Sequence, residues 1–230
     1  MKTLRRSAGG WLAAVILLFV STNLASSESG AALSGAPLVR ALKSGGYNIY
    51  FRHVATDWAQ SDDVREAGDW ISCDPSRIRQ LSAEGRRTAT QVGVAVRALG
   101  IPIGRVLASP YCRTLETARL MGLGEVETTT DVMNLRVADY FGGREAIARR
   151  ARARLAVPPT SGTNTVVVAH GNVARLATGV YPAEGEGAVF QPLGGARFEY
   201  IGRLLPGEWV RLAEELAGDS AFGALSAPMR

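Results

Sequence analysis

The feature that most constrains the fold is an unbroken apolar run at residues 165–169, which reads Thr-Val-Val-Val-Ala. Three consecutive valines favour a strand, and the absence of polar alternation predicts that both faces of this strand are buried. Strands of this kind lie inside parallel sheets, whose crossover helices cover both faces. The run therefore predicts an α/β fold rather than an all-helical or an all-β one.

Helical and extended segments alternate along the rest of the chain. Apolar residues at helical spacing, ended by glycine or proline, predict helices at residues 37–44, 82–99, 111–121 and 144–157. Short β-prone runs predict strands at residues 47–51, 105–108, 126–130, 165–169 and 198–205, the last at a sheet edge because Pro206-Gly207 follows it. This alternation predicts a three-layer α/β fold, in which a mostly parallel central sheet carries helices on both faces.

The first 27 residues have the pattern of an export signal. Three basic residues precede an uncharged aliphatic run, and Ala25 and Ser27 form a small-x-small pair for cleavage before Glu28. We expect residues 1–27 to be a signal peptide and residues 28–230 to form a single domain, periplasmic or secreted, with no stable membrane span after cleavage. The alternative is an uncleaved membrane anchor, although the apolar run is shorter than the roughly 20 residues that a spanning helix needs.

The formal net charge of +5 does not by itself indicate nucleic-acid binding. Without residues 1–27, 23 of the 26 Lys and Arg remain against 21 Asp and Glu, so most of the excess disappears. The densest arginine group, at residues 144–154, lies in an alanine-rich segment typical of a solvated helix face. No nucleic-acid partner is expected.

The chain has two cysteines, Cys73 and Cys112. After export both would enter an oxidising compartment, where disulfides form and persist. A disulfide between them is one expectation and two separate thiols are the other, because the sequence does not show whether their Cα atoms come within about 4.4–6.8 Å.

Both histidines of the chain follow predicted strands. His53 comes after Arg52 at the end of the first strand, and His170 ends the valine run. Another strand stops at Ser109, and Arg113 opens the next helix. Because ligands of open α/β sheets bind at the carboxyl ends of strands, these side chains are predicted to share one site. Arginine forks and helix N-termini there favour a phosphoryl group, and a neutral imidazole is a competent nucleophile toward phosphorus.

The segment that follows the first strand contains the first of three recognisable motifs. Arg52, His53 and Thr56 match the pattern Arg-His-Gly-x-Thr, with Val54 in place of glycine. This pattern resembles the first motif of the histidine phosphatase superfamily, also called the phosphoglycerate-mutase-like family. Val54 predicts a narrower pocket or a shifted loop, because glycine has no side chain at that place.

The second and third motifs of that family are matched without a departure. The second is Ser-Pro-x-x-Arg with a later Thr-Ala, and its residues here are Ser109, Pro110, Arg113, Thr117 and Ala118. The third is a buried strand that ends in His-Gly, as at His170 and Gly171. The resemblance covers residues 47–205 and depends on all three motifs occurring in order at strand ends.

The resemblance implies a role for each matched residue. His53 attacks phosphorus and becomes phosphohistidine, Arg52, Thr56 and Arg113 hold the phosphoryl oxygens, and His170 donates a further hydrogen bond. It implies an exported phosphatase that hydrolyses phosphate monoesters, with a phosphorylated small molecule or a phosphoprotein as its substrate. It implies no metal ion and no other cofactor.

The general acid is the role that the motifs leave open. Family members place a carboxylate either after the strand that follows the Ser-Pro helix or directly after the second histidine, and this chain has no Glu in the first place and Gly171 in the second. Asp139 and Glu186 are the two candidate acids that remain. The alternative for each is an ordinary surface carboxylate.

Other functions remain to be weighed against a phosphatase. Val54 and the open acid role favour a second hypothesis, a binding module that holds phosphate or a phosphorylated ligand without turnover or with a single turnover. Mutase activity is a third, less favoured because an exported protein seldom meets bisphosphoglycerate. A serine hydrolase and a dinucleotide enzyme are disfavoured, since the sequence has neither Gly-x-Ser-x-Gly nor Gly-x-Gly-x-x-Gly.

The polar insert at residues 57–74 is either part of the pocket rim or a surface loop.

Overall fold

Within residues 32–225, which the computed structural model describes with side chains to residue 216, six strands form one sheet. They are β1 (Asn48–Arg52), β2 (Ile103–Ala108), β3 (Val126–Thr128), β4 (Asn164–Ala169), β5 (Gly187–Gly194) and β6 (Arg197–Leu204). Their order across the sheet is β3-β2-β4-β1-β5-β6. The first four run parallel, while β5 pairs antiparallel with β1 and with β6. The predicted mostly parallel sheet is confirmed, and so is the edge position of the last strand.

The helices of this part of the chain pack on the two faces of the sheet. They are α1 (Gly35–Lys43), α2 (Ala83–Ala98), α3 (Cys112–Met121), α4 (Arg144–Leu155), α5 (Gly171–Thr178) and α6 (Pro206–Leu225). Short 3₁₀ helices lie in the connections, at Asp69–Ile71, Thr130–Val132 and Leu135–Phe141.

Alternate residues of β4 belong to the two opposite apolar layers. All six residues of this strand are buried. Val166 and Val168 pack in the cluster that includes side chains of α1, α2, α3 and α6. Val167 and Ala169 pack in the cluster that includes side chains of α4 and α5. The predicted three-layer α/β fold is therefore confirmed, and the valine run is its central strand.

Close packing between α2 and α3 sets the position of α3, whose first turn carries Arg113. The Ser82 hydroxyl caps α2 by accepting a hydrogen bond from the Gly85 amide at 3.0 Å. A Cβ at Gly93 would lie 1.8 Å from the Met121 carbonyl oxygen at the end of α3. Only glycine at this position lets the two helices approach so closely.

The helix α6 was not predicted from the sequence, where Pro206-Gly207 indicated only the end of a strand. Proline lacks the N–H group, but the first turn of a helix does not need it. Glu208 accepts a hydrogen bond from the Leu205 amide at 2.7 Å, as in a helix cap. Trp209 is fully buried and its ring lies 5.9 Å from that of Phe51, which fixes the helix on the sheet.

A disulfide joins the insert at residues 57–74 to the first residue of α3. Cys73 and Cys112 are bonded, with 5.4 Å between their Cα atoms, so the pairing is present and neither thiol is free. Two backbone bridges, Asp62–Ile78 and Thr56–Leu81, pair the insert and the residue before it with the segment that leads into α2. The insert is therefore fixed next to Arg113, the neighbour of Cys112.

The predicted signal peptide at residues 1–27 lies outside the described residues. Residues 32–225 belong to one compact unit. No helix in residues 32–225 combines the length and the apolar character that crossing a membrane requires.

Candidate functional site

The carboxyl ends of three adjacent parallel strands bring the motif residues together. In the register of the sheet, Arg52 of β1 is level with Ala169 of β4, and Ala108 of β2 is level with Val168. The residues that follow these strands therefore lie side by side at one edge. The rings of His53 and His170, 117 residues apart in sequence, are 5.7 Å apart between centroids.

A pocket of about 120 Å³ lies at this edge. All five residues predicted to bind or transfer phosphate line it: Arg52, His53, Thr56, Arg113 and His170. The remaining lining residues are Trp58, Asp62, Arg79, Asn134, Arg136, Gly171, Asn172, Tyr181 and Glu184. The volume is about that of four molecules of liquid water, which suits a small polyatomic anion.

His53 is held as a neutral imidazole with one nitrogen free. Its Nδ1 lies 2.9 Å from the Val54 carbonyl oxygen, which can only accept, so Nδ1 carries the proton and donates it. Burial, and then the positive charge of Arg113, lowers the pKa of His53 to about 3. The Nε2 lone pair is therefore available to a reacting atom at neutral pH.

His170 is buried more deeply and is held by other partners. The Tyr50 hydroxyl donates to the His170 carbonyl oxygen at 2.8 Å and accepts from the His170 amide at 3.1 Å. The His170 Nε2 lies 3.0 Å from the Ser109 hydroxyl, which can either donate or accept. Burial, with Arg113 as the next cause, lowers the pKa of His170 well below its usual value.

Several buried polar atoms of the pocket have no hydrogen-bond partner within residues 32–216. They include the Nε atoms of Arg79 and Arg113 and the Nδ1 atom of His170. An unpaired buried donor costs about 1–3 kcal/mol. These three nitrogens belong to residues that line the pocket, but each is itself shielded from solvent in this arrangement.

Asp62 is the counter-ion that holds the arginines of the pocket. Its carboxylate accepts from Arg113 Nη1 at 2.8 Å and Nη2 at 3.3 Å, and from Arg79 Nη2 at 3.2 Å. Arg136 Nε lies 3.5 Å from the same carboxylate. Arg113 is only 2% exposed, and its Nε is left without a partner by this ion pair. Asp62 therefore neutralises part of the charge and leaves the Nε of Arg113 without a hydrogen-bond partner.

The pocket keeps an excess of positive charge despite this carboxylate. Its lining contains four arginines and two carboxylates, Asp62 and Glu184. Glu184 pairs with Arg52 at 3.2 Å, and the Pro182 carbonyl accepts from the other terminal nitrogen of Arg52 at 3.3 Å. The remaining charge favours an anion.

Val54 does not narrow the pocket, contrary to one expectation from the sequence. Its side chain is 2% exposed, packs in the apolar core and is not part of the pocket lining. Its φ is not positive, so its backbone needs no glycine. The Val54 side chain therefore lies in the apolar core, and the Val54 carbonyl oxygen contacts His53 Nδ1.

The structure does not bring the two candidate acids into the pocket. Asp139 is exposed, in the 3₁₀ helix Leu135–Phe141, and does not line the pocket. Glu186 is buried beside the pocket, where it accepts from the Ala183 amide at 2.6 Å and lies 3.3 Å from Arg203 Nε. Both oxygens of Glu186 are thus engaged outside the pocket lining, and its role as an acid stays a prediction.

The insert at residues 57–74 forms part of the pocket rim, which was one of the two expectations from the sequence. Its residues Trp58 and Asp62 line the pocket. Trp70 instead packs against Tyr140 and Phe141, with 5.3 Å between ring centroids in both pairs. The first half of the insert therefore forms the rim, and the second half anchors it.

Sequence reasoning missed Asp62, Arg79, Arg136 and Glu184. A usable signal existed for Arg136, because it follows β3, whose carboxyl end lies at the same sheet edge. Asp62 and Arg113 are 51 residues apart, and no periodicity relates them.

The fold is shared with solved phosphatase structures at low sequence identity. The protein histidine phosphatase SixA, solved with tungstate, is 13% identical to this chain, with a TM-score of 0.50 over 70% of this chain and 97% of its own. A proposed alpha-ribazole-5'-P phosphatase from Escherichia coli is 16% identical, with a TM-score of 0.50 over 70% of this chain and 98% of its own. No family model and no curated protein matches the sequence. The chain therefore shares the fold of these solved structures, as the motif resemblance implied.

Replacing Asp62 with Ala should lower the free energy of unfolding by about 3–5 kcal/mol, because Arg113 would stay buried without its anion. Glu127→Ala is the matched control. It removes a carboxylate that also accepts twice from one arginine, Arg105, but this pair is nearly half exposed and should contribute about 1 kcal/mol or less. Urea unfolding of both variants measures the difference, and equal losses would contradict the buried role of Asp62.

Stability should fall as the pH is lowered from 7 to 5. The folded pKa of His53 is about 3, below the ordinary value of 6.5, so below pH 6.5 the unfolded chain binds a proton that the folded chain does not. The folded state therefore loses stability as the pH falls from 6.5 toward 3. In His53→Asn, about 2 kcal/mol of the loss between pH 7 and pH 5 should disappear. Denaturant unfolding at both pH values tests this, and an unchanged loss in the variant would refute it.

Proposed function

We propose that this protein is an exported phosphatase, which hydrolyses phosphate monoesters through a phosphohistidine intermediate on His53. The observation that carries the proposal is a neutral His53 with its Nε2 lone pair free, in a pocket that four arginines line. A phosphoryl group in this pocket would be held by the arginines and would present phosphorus to the imidazole. The likeness in fold to SixA, solved with the tetrahedral oxyanion tungstate, supports this assignment.

The first step forms a bond between His53 and phosphorus. The Nε2 lone pair attacks phosphorus, the bond from phosphorus to the leaving-group oxygen breaks, and its electron pair goes to that oxygen. The proton stays on Nδ1, which donates it to the Val54 carbonyl oxygen, and this hydrogen bond stabilises the positive charge that develops on the ring. Arg52 and Arg113 stabilise the negative charge on the phosphoryl oxygens.

The second step returns the imidazole to its starting form. A water oxygen attacks phosphorus, the bond between nitrogen and phosphorus breaks, and its electron pair returns to Nε2. Inorganic phosphate leaves with the water oxygen and one of its two protons, and the other proton passes through solvent to the leaving-group oxyanion. His170 can donate to a phosphoryl oxygen in both steps, because the Ser109 hydroxyl supports either tautomer of the neutral ring.

Export is part of the proposal. The basic, aliphatic and small-residue pattern of residues 1–27 supports a cleaved signal. The Cys73–Cys112 disulfide supports an oxidising compartment, since such bonds rarely persist in the cytosol.

Replacing His53 with Ala should remove both turnover and covalent labelling, because Nε2 is the attacking atom. His170→Ala should lower kcat by roughly 10²–10³, the usual loss when one transition-state donor is removed, and should still form an acid-labile phosphohistidine. Rapid-quench labelling with a ³²P-labelled ester, followed by peptide mapping, measures both. Glu127→Ala, which changes an exposed carboxylate, serves as a control that should retain activity.

The same experiment separates the phosphatase from a binding module. Steady release of phosphate over many turnovers supports the enzyme. One phosphate per molecule, or tight phosphate binding with no labelling, would favour the binding module instead. Label on His170, or label in His53→Ala, would refute the assignment of the nucleophile.

Intact protein recovered from outside the cytoplasm of its native host should begin near Glu28 and contain no alkylatable thiol. Signal cleavage explains the first result, and the disulfide explains the second. Mass spectrometry under non-reducing conditions, with and without iodoacetamide, measures both. Recovery of chains that start at Met1 in a soluble cytoplasmic fraction would refute export, and two alkylated cysteines would refute the bond.

A further inference from the structure

A second, larger cavity opens beside the phosphate pocket. This groove has a volume of about 890 Å³ and shares Arg52, Trp58, Tyr181 and Glu184 with the smaller pocket. A phosphoryl group bound at His53 would therefore have its leaving group at the mouth between the two cavities. The groove lining then decides which leaving groups are accepted.

Two exposed aromatic rings stand at this mouth, and each is held by a pocket arginine. Trp58 is 70% exposed, with the Arg79 guanidinium 3.9 Å from its ring centroid. Tyr181 is 51% exposed, with the Arg52 guanidinium 5.4 Å from its centroid. A Cβ at Gly171 would lie 2.9 Å from the Tyr181 ring, so the ring is packed against the start of α5. The rings are held in place and leave much of their surface to a ligand.

The groove also has apolar side chains beyond the mouth, beside the charged Arg203 and Glu208. Leu33 and Leu205 line it and are 38% and 46% exposed. Together with Trp58 and Tyr181, they make four of the nine large hydrophobic side chains that are exposed within residues 32–216. A concentration of exposed apolar surface beside a site is typical of a ligand groove.

The carboxylates that line the groove are all engaged in this arrangement. Glu184 is ion-paired with Arg52, Glu186 with Arg203 and the Ala183 amide, and Glu208 accepts from the Leu205 amide. A leaving group that departs without protonation must be a stable anion. A phenol, with a pKa of about 10, meets this condition far better than an alkyl alcohol, which resembles water with a pKa near 15.7.

Resting on the function proposed above, we propose that the groove binds an aromatic leaving group and that the substrates are aryl phosphate esters rather than alkyl phosphate esters. The aryl ring packs against Trp58 and Tyr181, and the phosphoryl group lies at His53. The bond from phosphorus to the phenolic oxygen breaks, and the phenolate takes the electron pair.

Four esters separate ring binding from leaving-group acidity in steady-state assays of the purified protein. 2-Naphthyl phosphate has both properties, benzyl phosphate has only the ring, trifluoroethyl phosphate has only the more acidic alcohol, and cyclohexyl phosphate has neither. We expect the highest kcat/KM for naphthyl phosphate, a low KM with a low kcat for benzyl phosphate, and the lowest kcat/KM for cyclohexyl phosphate.

Substitutions at the mouth test the two rings directly. Trp58→Ala and Tyr181→Ala should raise KM for naphthyl phosphate by about 3- to 10-fold, the size of one aromatic contact, and should leave KM for trifluoroethyl phosphate within about 2-fold. Trp58→Phe keeps an aromatic ring, so its KM for naphthyl phosphate should stay close to that of the wild-type protein. Leu193→Ala removes a similarly exposed apolar side chain that does not line the groove, and it should change neither KM.

The outcomes separate the groove from the proposed phosphatase. Equal kcat/KM for naphthyl and cyclohexyl phosphate would overturn the aryl preference and leave the phosphatase intact. Equal rises in KM for naphthyl and trifluoroethyl phosphate in the Ala variants would overturn the ring contact, because the rings would then act only on the arginines. No release of phosphate from any of the four esters by the folded wild-type protein would contradict the proposed function itself.

Discussion

One buried ion pair makes the arginine-rich pocket compatible with a folded chain. Arg113 and Asp62 are 2% and 8% exposed, and neither charge could be buried alone without a large desolvation cost. Asp62 bonds the two terminal nitrogens of Arg113 and leaves its Nε without a partner. The protein therefore uses an internal anion to hold the cations that an external anion needs. The insert that supplies Asp62 is fixed by Cys73, so a segment outside the three motifs is structurally part of the site.

The two imidazoles share one environment but differ in the partner of their second nitrogen. Burial and Arg113 lower the pKa of both His53 and His170. A carbonyl oxygen fixes the proton of His53 on Nδ1, which leaves a permanent lone pair on Nε2. A hydroxyl faces His170, and this partner tolerates a proton on either nitrogen. The local hydrogen bonds thus fix the tautomer of His53 and leave that of His170 open.

Local patterns predicted the layers of the fold and the edge where the motif residues meet. The run at 165–169 and the histidines at strand ends are properties of a few neighbouring residues, so they can be read without a structure. The contact of Asp62 with Arg113 spans 51 residues and depends on how the insert folds back, which no local pattern describes. Asp139 illustrates the same limit, because a position near a strand end does not reveal which way a side chain points. The helix at Pro206–Leu225 was missed for another reason: a proline that ends a strand can equally begin a helix.

The burial of the Val54 side chain has a consequence for how chains of this kind are recognised. Position 54 serves the pocket only through a carbonyl oxygen, which every amino acid possesses, while its side chain serves the apolar core. Glycine is therefore not required at position 54. Any side chain that fits the core leaves the same carbonyl oxygen to fix the tautomer of His53. A sequence pattern that demands glycine after the histidine would pass over chains whose imidazole is held in this way. What such chains share is the backbone carbonyl that contacts the histidine, and a pattern of side chains does not describe that contact.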